Sequence, residues 1–327
     1  MTSLLQNKTI FLAGATGLAG SAIIQHILGN YPDVRIKGAY HATRPFIAHE
    51  RISYIRADLT KRDECRLAVR GCELAIMAAA STGGAGDTVS EPHRQVTDNL
   101  VMDALMLEAI YFEGIKRVVY LSSVTVYQEF EGYIKENELD LNQEPHPAYR
   151  GVGWAKRSAE KLCQFWHEKY GMEIVVVRCA NIYGPYAKFD PARSNFIPAI
   201  IRKAADKMEP FEVWGSPDVA RDVIYAEDFA RAVILLLTHN EIKCDTFNLG
   251  FGKTTTVGEV ADLAIKYSGH TPRRMIYSDD KPTTIRLRAV DCQKIKNCLK
   301  WEPIYPIEEG IKLTTQWWIE NKDKWTK

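Results

Sequence analysis

Residues 9–29, TIFLAGATGLAGSAIIQHILG, pass from an apolar run to three glycines and then to apolar residues at helical spacing. That order constrains the fold more than any other stretch. It predicts a strand, a tight turn and a helix. Gly14, Gly17 and Gly20 make a GxxGxxG set. Glycines there let the backbone turn sharply and approach a phosphate, and the helix start offers free N–H groups with a positive dipole end. A plain strand–helix turn is the alternative. The rhythm that follows argues against it.

Further strand-like runs are DVRIKGAY (33–40), ISYIRADL (52–59), CELAIMAAAS (72–81), KRVVYLSS (116–123) and MEIVVVRCA (172–180). Between them, 96–114 carries apolar residues at helical spacing and ends on Gly114, and 154–170 reads as another helix. Strands that are nearly all apolar and alternate with helices imply a parallel sheet covered on both faces. The predicted fold is α/β, a Rossmann-type doubly wound parallel sheet. After Asn181 prolines and aromatics become common, with a helix expected over 199–205 and strand-like FEVWG at 211–215. VIYAEDFARAVILLLTH reads as strand plus helix, DTFNLG (245–250) as a late strand of the main sheet, and 255–269 and 307–324 as helices. The expected division is a dinucleotide-binding unit of 1–178 plus about 222–250. A smaller interleaved substrate unit takes 179–221 plus 251–327.

Composition sets the remaining bounds. A chain of 327 residues with 46% apolar and 25% charged content can bury a sizeable core. Its net charge of +1 gives no electrostatic reason to expect nucleic acid or a membrane surface as partner. The seven cysteines are scattered, with no CxxC pair and no zinc-like spacing. With no signal-like start, they suggest reduced thiols in the cytoplasm. No metal is expected.

The second strand ends in GAYHATRP, with Arg44 where an acid would hold ribose hydroxyls. A guanidinium suits a 2′-phosphate, so NADP(H) is favoured over NAD(H). A solvated loop arginine is the alternative. Asp58 is placed to cap an adenine amine, or to hold a turn. Thr16 and Leu18 in the loop and Leu59 beside Asp58 complete the candidates from this part.

AGATGLAGSAI, MAAASTGGAG, LSSVTVY, NIYGPYAKFDPARSNFIPAIIRK and VWGSPDVARDVIYAEDFARA together resemble an extended short-chain dehydrogenase/reductase of the nucleotide-sugar epimerase/dehydratase group, most closely its GDP-L-fucose synthase branch. The resemblance implies an NAD(P)-dependent reductase, dehydrogenase or epimerase acting on a GDP-linked hexose or keto-deoxyhexose. It implies that Ser123 bonds the sugar oxygen and that Lys156 binds the nicotinamide ribose. Asn99 and Ala78, Ala79 and Ala80 would line the cofactor. Asn181, Asn195, Lys203 and Arg221 would meet substrate, with Arg286 or Arg288 as a second cation. It also implies a homodimer through two long helices, with Met102, Leu105, Phe165 and Trp166 as candidates.

The chain departs from that pattern. Val152 stands four residues before Lys156, where a YxxxK tyrosine is expected. Thr125 and Asn195 stand at positions of a cysteine and a histidine that move protons in the branch. Tyr149 is the substitute to weigh. On a continuous helix it lies about one turn too far from Lys156. It could fold back only if the helix starts late, aided by Gly151 and Gly153. A redox-silent NAD(P)(H)-binding module is the competing function.

Overall fold

The computed structural model describes residues 4–82, 92–191, 193–278 and 287–325. In chain order its first half runs β1 (Thr9–Ala13), α1 (Leu18–Asn30), β2 (Arg35–Tyr40), β3 (Ile52–Arg56), α2 (Arg62–Val69), β4 (Leu74–Met77), α3 (Pro92–Phe112) and β5 (Arg117–Ser123). Then come β6 (Tyr133–Ile134), α4 (Arg150–Tyr170), β7 (Glu173–Cys179), β8 (Asn181–Tyr183), α5 (Phe196–Ala205), β9 (Phe211–Trp214), β10 (Ala220–Tyr225), α6 (Ala226–Thr238) and β11 (Cys244–Leu249). The chain closes with β12 (Thr254–Thr256), α7 (Val257–Ser268), β13 (Met275–Ser278), β14 (Leu287–Val290), α8 (Gln293–Leu299) and α9 (Ile307–Asn321).

Seven strands form one parallel sheet in the order β11-β7-β5-β4-β1-β2-β3. Strands β1, β4, β5 and β7 are buried on both faces, which is why they read as nearly continuous apolar runs. On one face Ile10, Leu12, Val119 and Val177 pack with residues of α1 and α6. On the other, Phe11, Ala75, Tyr120 and Val176 pack under α2, α3 and α4. The doubly wound parallel sheet expected from the sequence is the fold observed. The order reverses between β1 and β4, so the C-terminal ends of these strands open the crevice where such sheets take ligands.

One buried arginine ties sheet to helix. Arg117 begins β5 and is 5% exposed. Its guanidinium donates to the carbonyls of Leu236, Leu237, His239 and Ile242 at 2.5–2.9 Å and pairs with Glu173 at 2.9 Å. These carbonyls lie at and just beyond the end of α6. A fork-shaped cation suits them, because helix ends leave carbonyls unpaired and carry negative dipole charge.

The other elements build a second core from Tyr183, Phe189, Ile201, Phe211, Val260, Ile311 and Trp318. A five-stranded sheet, β12-β10-β14-β6 with β8 beside β10, carries it. Thr256 starts α7 with a capping box to Glu259. Helix α9 crosses Tyr183 so closely that a side chain at Gly310 would fall 2.1 Å from the Tyr183 hydroxyl. Leu18 packs against both cores and joins them. Strand β10 belongs to this second sheet, although its residues 222–225 fall in the stretch grouped with the dinucleotide unit by sequence. The later α6 and β11 belong to the main one.

Three helices begin earlier than the sequence pattern indicates. Helix α3 starts at Pro92 rather than 96, α4 at Arg150 rather than 154, and α5 at Phe196 rather than 199. The second difference bears on the chemistry.

Candidate functional site

At the end of β1 the chain turns through Gly14 with φ of 74°. A side chain at Gly14 would lie 2.8 Å from the Ala78 carbonyl oxygen and the Ala79 backbone, and one at Gly20 would lie 2.2 Å from the Gly14 carbonyl oxygen. Glycine is therefore required by both dihedral and space. Gly17 is the N-cap of α1 and supplies no side-chain cap. An uncapped N-terminus at the crevice suits a pyrophosphate. Thr16 sits half-buried in the same loop.

Asn99 on α3 is 1% exposed. Its amide donates to the carbonyls of Ser81 (3.1 Å) and Gln95 (2.6 Å), and its oxygen accepts from the Ser81 N–H (2.8 Å). Those bonds fix the tail after β4. Asn99 therefore braces the chain just after the Ala78–Ala80 stretch. Asp58 accepts from the Thr60 N–H (3.0 Å) and hydroxyl (2.6 Å), and these bonds hold its carboxyl below the usual range. It serves as a turn aspartate through that oxygen. Leu59 is buried in the core beneath α2. Arg44 is exposed in the loop after β2, where it is free to meet a ligand.

Ser123 ends β5, and its hydroxyl oxygen accepts from the Thr125 N–H at 3.2 Å, capping the short 3₁₀ turn 124–126. The Thr125 hydroxyl is buried with no hydrogen-bond partner among the described residues. A network braces this turn from below. The Ser122 hydroxyl donates to Glu160 (2.5 Å), which pairs with Arg178 (2.8 Å). Arg178 donates to the Tyr127 hydroxyl (2.9 Å), and Tyr127 donates to Asn248 (2.6 Å). Burial outweighs these bonds and pushes the Tyr127 hydroxyl to about 12, so it stays protonated.

Lys156 is 5% exposed. Its ammonium donates to the Tyr120 hydroxyl (2.8 Å), the Leu121 carbonyl (3.2 Å) and the Asp103 carboxylate (3.4 Å). Tyr120 in turn donates to Asp103 at 2.7 Å. Val152 occupies the first turn of α4, half-buried.

The fold-back considered for Tyr149 is closed. Helix α4 starts at Arg150, so Gly151 and Gly153 are helical residues and not hinges. A side chain at Gly153 would meet the Thr125 carbonyl at 2.6 Å, which is why glycine lets α4 approach the turn. Tyr149 is the N-cap, seven residues and about 10 Å of helix rise from Lys156. It lies within electrostatic reach of Arg221. Arg221, in β10, is 9% exposed and donates to the Ala220 carbonyl at 2.8 Å. Burial lowers its pKa, and Tyr149 opposes that shift. In the β10–β14 ladder Arg221 stands opposite Arg288. Arg286 lies outside the described residues.

The remaining candidates are spread more widely. Asn181 is exposed at the start of β8 and lines a small cleft with Val124, Ala180 and Asp222. Asn195 is exposed at the N-cap of α5 and makes no capping bond. Lys203 donates to the Glu212 carbonyl at 2.8 Å and lies over the Trp214 ring, tying α5 to β9. A cavity of about 480 Å³ between α4, β7 and β11 includes none of the candidate residues.

Sequence reasoning passed over Asp103, Tyr120, Glu160 and Arg178. The signals were there in spacing. Asp103 follows Asn99, and Glu160 follows Lys156, by one helical turn. Tyr120 and Arg178 each place a polar group inside an otherwise apolar strand.

Among the described residues no cluster of His, Cys, Asp or Glu could hold a metal, and no helix is long and apolar enough to cross a membrane. The chain is 28% identical to a GDP-L-fucose synthase of Sinorhizobium fredii, over 97% of this chain and 98% of the relative. It is also 28% identical to a GDP-mannose 3,5-epimerase of Oryza sativa, over 96% and 82%. In fold it resembles a GDP-L-fucose synthetase of Naegleria fowleri bound to NADP, with a TM-score of 0.83 at 22% identity, over 98% and 96% of the two chains. Residues 10–250 match the NAD dependent epimerase/dehydratase family, and on a match of that extent the chain belongs to this family.

Proposed function

We propose that the chain binds NADP(H), in preference to NAD(H), together with a GDP-linked hexose or keto-deoxyhexose. We infer that it acts as a nucleotide-sugar oxidoreductase or epimerase without a tyrosine–lysine proton relay. The observation that carries the reading is Arg221. Its guanidinium is only 9% exposed on a strand of the second sheet, and Arg288 stands opposite it in the β10–β14 ladder, so two arginines fall at adjacent strand positions. A sugar nucleotide carries two phosphates, for which a forked cation is suited.

The bound nicotinamide would exchange hydride with a sugar carbon. The Ser123 hydroxyl holds the sugar oxygen, and Arg221 offsets the diphosphate charge. Val152 can neither give nor take a proton, so that step falls to Ser123 and solvent. Loss of a positioned acid/base slows such reactions by roughly 10²–10⁴-fold. Thr125 and Asn195 supply no base, so epimerisation at two carbons is not part of this reading.

Pairing of two copies through α3 and α4 is part of the proposal. Phe112, Phe165 and Tyr170 are 65%, 44% and 48% exposed there, which supports it. Met102 is buried in the sheet–helix core and is not available to a partner.

A redox-silent binding module is the second reading. It is favoured by Lys156, whose ammonium is already surrounded by three acceptors. NADPH absorbance on adding GDP-4-keto-6-deoxymannose separates the two. Oxidation supports the enzyme, and its loss of preference over NADH in Arg44→Ala supports the cofactor assignment. Calorimetric binding of the cofactor with no oxidation supports the module. No binding of NADPH or NADH defeats both.

A further inference from the structure

Lys156 has three N–H donors and three acceptors at hydrogen-bond distance: the Tyr120 hydroxyl, the Leu121 carbonyl and the Asp103 carboxylate. The Tyr120 oxygen accepts from the ammonium and donates onward to Asp103, closing a ring of polar contacts. All three side chains are nearly inaccessible: Tyr120 at 0%, Asp103 at 2% and Lys156 at 5%. The opposite charges of Asp103 and Lys156 compensate each other, so the group needs no ligand to be complete.

Strand register locates it. Tyr120 pairs with Met77 in the parallel ladder between β4 and β5. The wall at Ala78–Ala80 therefore continues from the level of Leu121–Ser123. The ammonium is bonded at the level of Tyr120 and Leu121, at the foot of that wall. Tyr120 is no replacement for the missing acid. Burial and the Asp103 charge push its hydroxyl well above the ordinary range, so it remains a neutral donor to Asp103.

We infer that Asp103 and Tyr120 are positioning residues that clamp the Lys156 ammonium between α3, β5 and α4. They withhold it from a cofactor lying along the Ala78–Ala80 wall, so the chain binds NAD(P)(H) without its lysine. This rests on reading the crevice as a cofactor site, and the test separates the two.

The side-chain ammonium signal of Lys156 is followed by NMR in the full-length protein, assigned by its absence in Lys156→Met. A slowly exchanging signal is expected without ligand, unchanged by saturating NADPH, with markedly faster exchange in Tyr120→Phe. NADPH affinity is measured in parallel in wild type and in the charge-balanced pair Asp103→Asn/Lys156→Met, and should agree within about twofold. A fast-exchanging ammonium in the unliganded protein overturns the clamp. An ammonium signal that moves on NADPH binding, or an affinity about tenfold weaker in the pair, overturns the withholding. If wild type binds no NADPH, the crevice reading fails, and the exchange comparison with Tyr120→Phe still decides the clamp.

Discussion

The glycine loop after β1 and the ground around Lys156 both lie at the C-terminal ends of parallel strands, yet they are built on opposite plans. At Gly14 and Gly20 the structure omits side chains, so the backbone itself can face a ligand. Around Lys156 it supplies Asp103, Tyr120 and the Leu121 carbonyl, and every donor is met from within. An opening made by absence of side chains stays available to a ligand. A cation completed by its neighbours does not. The proposed binding and proton-transfer roles therefore rest on different features of one crevice.

The largest expected effect sharpens the Lys156 side of this contrast. Asp103→Ala leaves a buried ammonium without its counter-charge, which should cost about 3–5 kcal/mol of stability. Urea unfolding would show it; a loss under 1 kcal/mol would mean that the pair is already hydrated. Arg221→Met comes next. Loss of one charge-assisted contact of about 1.5–3 kcal/mol should weaken GDP-sugar binding roughly 10–150-fold and leave NADPH binding in place. Equal weakening of both ligands in calorimetry would break the assignment of Arg221 to the sugar-nucleotide side.

Gly14→Ala attacks the phosphate loop. Its φ of 74° and its 2.8 Å approach to the Ala79 backbone should bring about 1–3 kcal/mol of strain, read as a lower melting temperature and weaker NADPH binding. Unchanged affinity would show that the loop does not set the cofactor position.

The smallest effect per step concerns Asp222. Burial pushes its carboxyl from 3.8 up to about 7, against the bonds it accepts from the Phe251 and Gly252 N–H groups. A raised acid keeps its proton in the folded protein where the unfolded chain has lost it. Its contribution is therefore complete below about pH 4 and is lost as pH rises toward 7, by at most about 1.4 kcal/mol per pH unit. Stability measured across that window should fall in wild type and less so in Asp222→Asn. The same slope in both proteins would assign the dependence to other groups.

Much of this architecture was legible in the chain. Strands such as KRVVYLSS and MEIVVVRCA declare a sheet covered on both faces, because only such strands are apolar at consecutive positions. The glycine loop was legible because its geometry is local: three glycines between a strand and a helix suffice. Val152 was legible as an absence, four residues from Lys156. The start of α4 was not, since two glycines and a preceding proline-rich run point to a later beginning. Its packing against the 124–126 turn overrides that local weakness and makes Gly153 a contact point.

Sequence alone determined the family, the doubly wound sheet, the glycine loop and the valine four residues before Lys156, each of which depends on residue type and short spacing. Tertiary structure decided the partners of the charged groups. Asp103, Tyr120 and Lys156 lie far apart in the chain, and so do Tyr149 and Arg221, which come within electrostatic reach of each other. A buried charge takes whichever counter-group the packing of helices and strands brings within reach, and no local pattern records that choice.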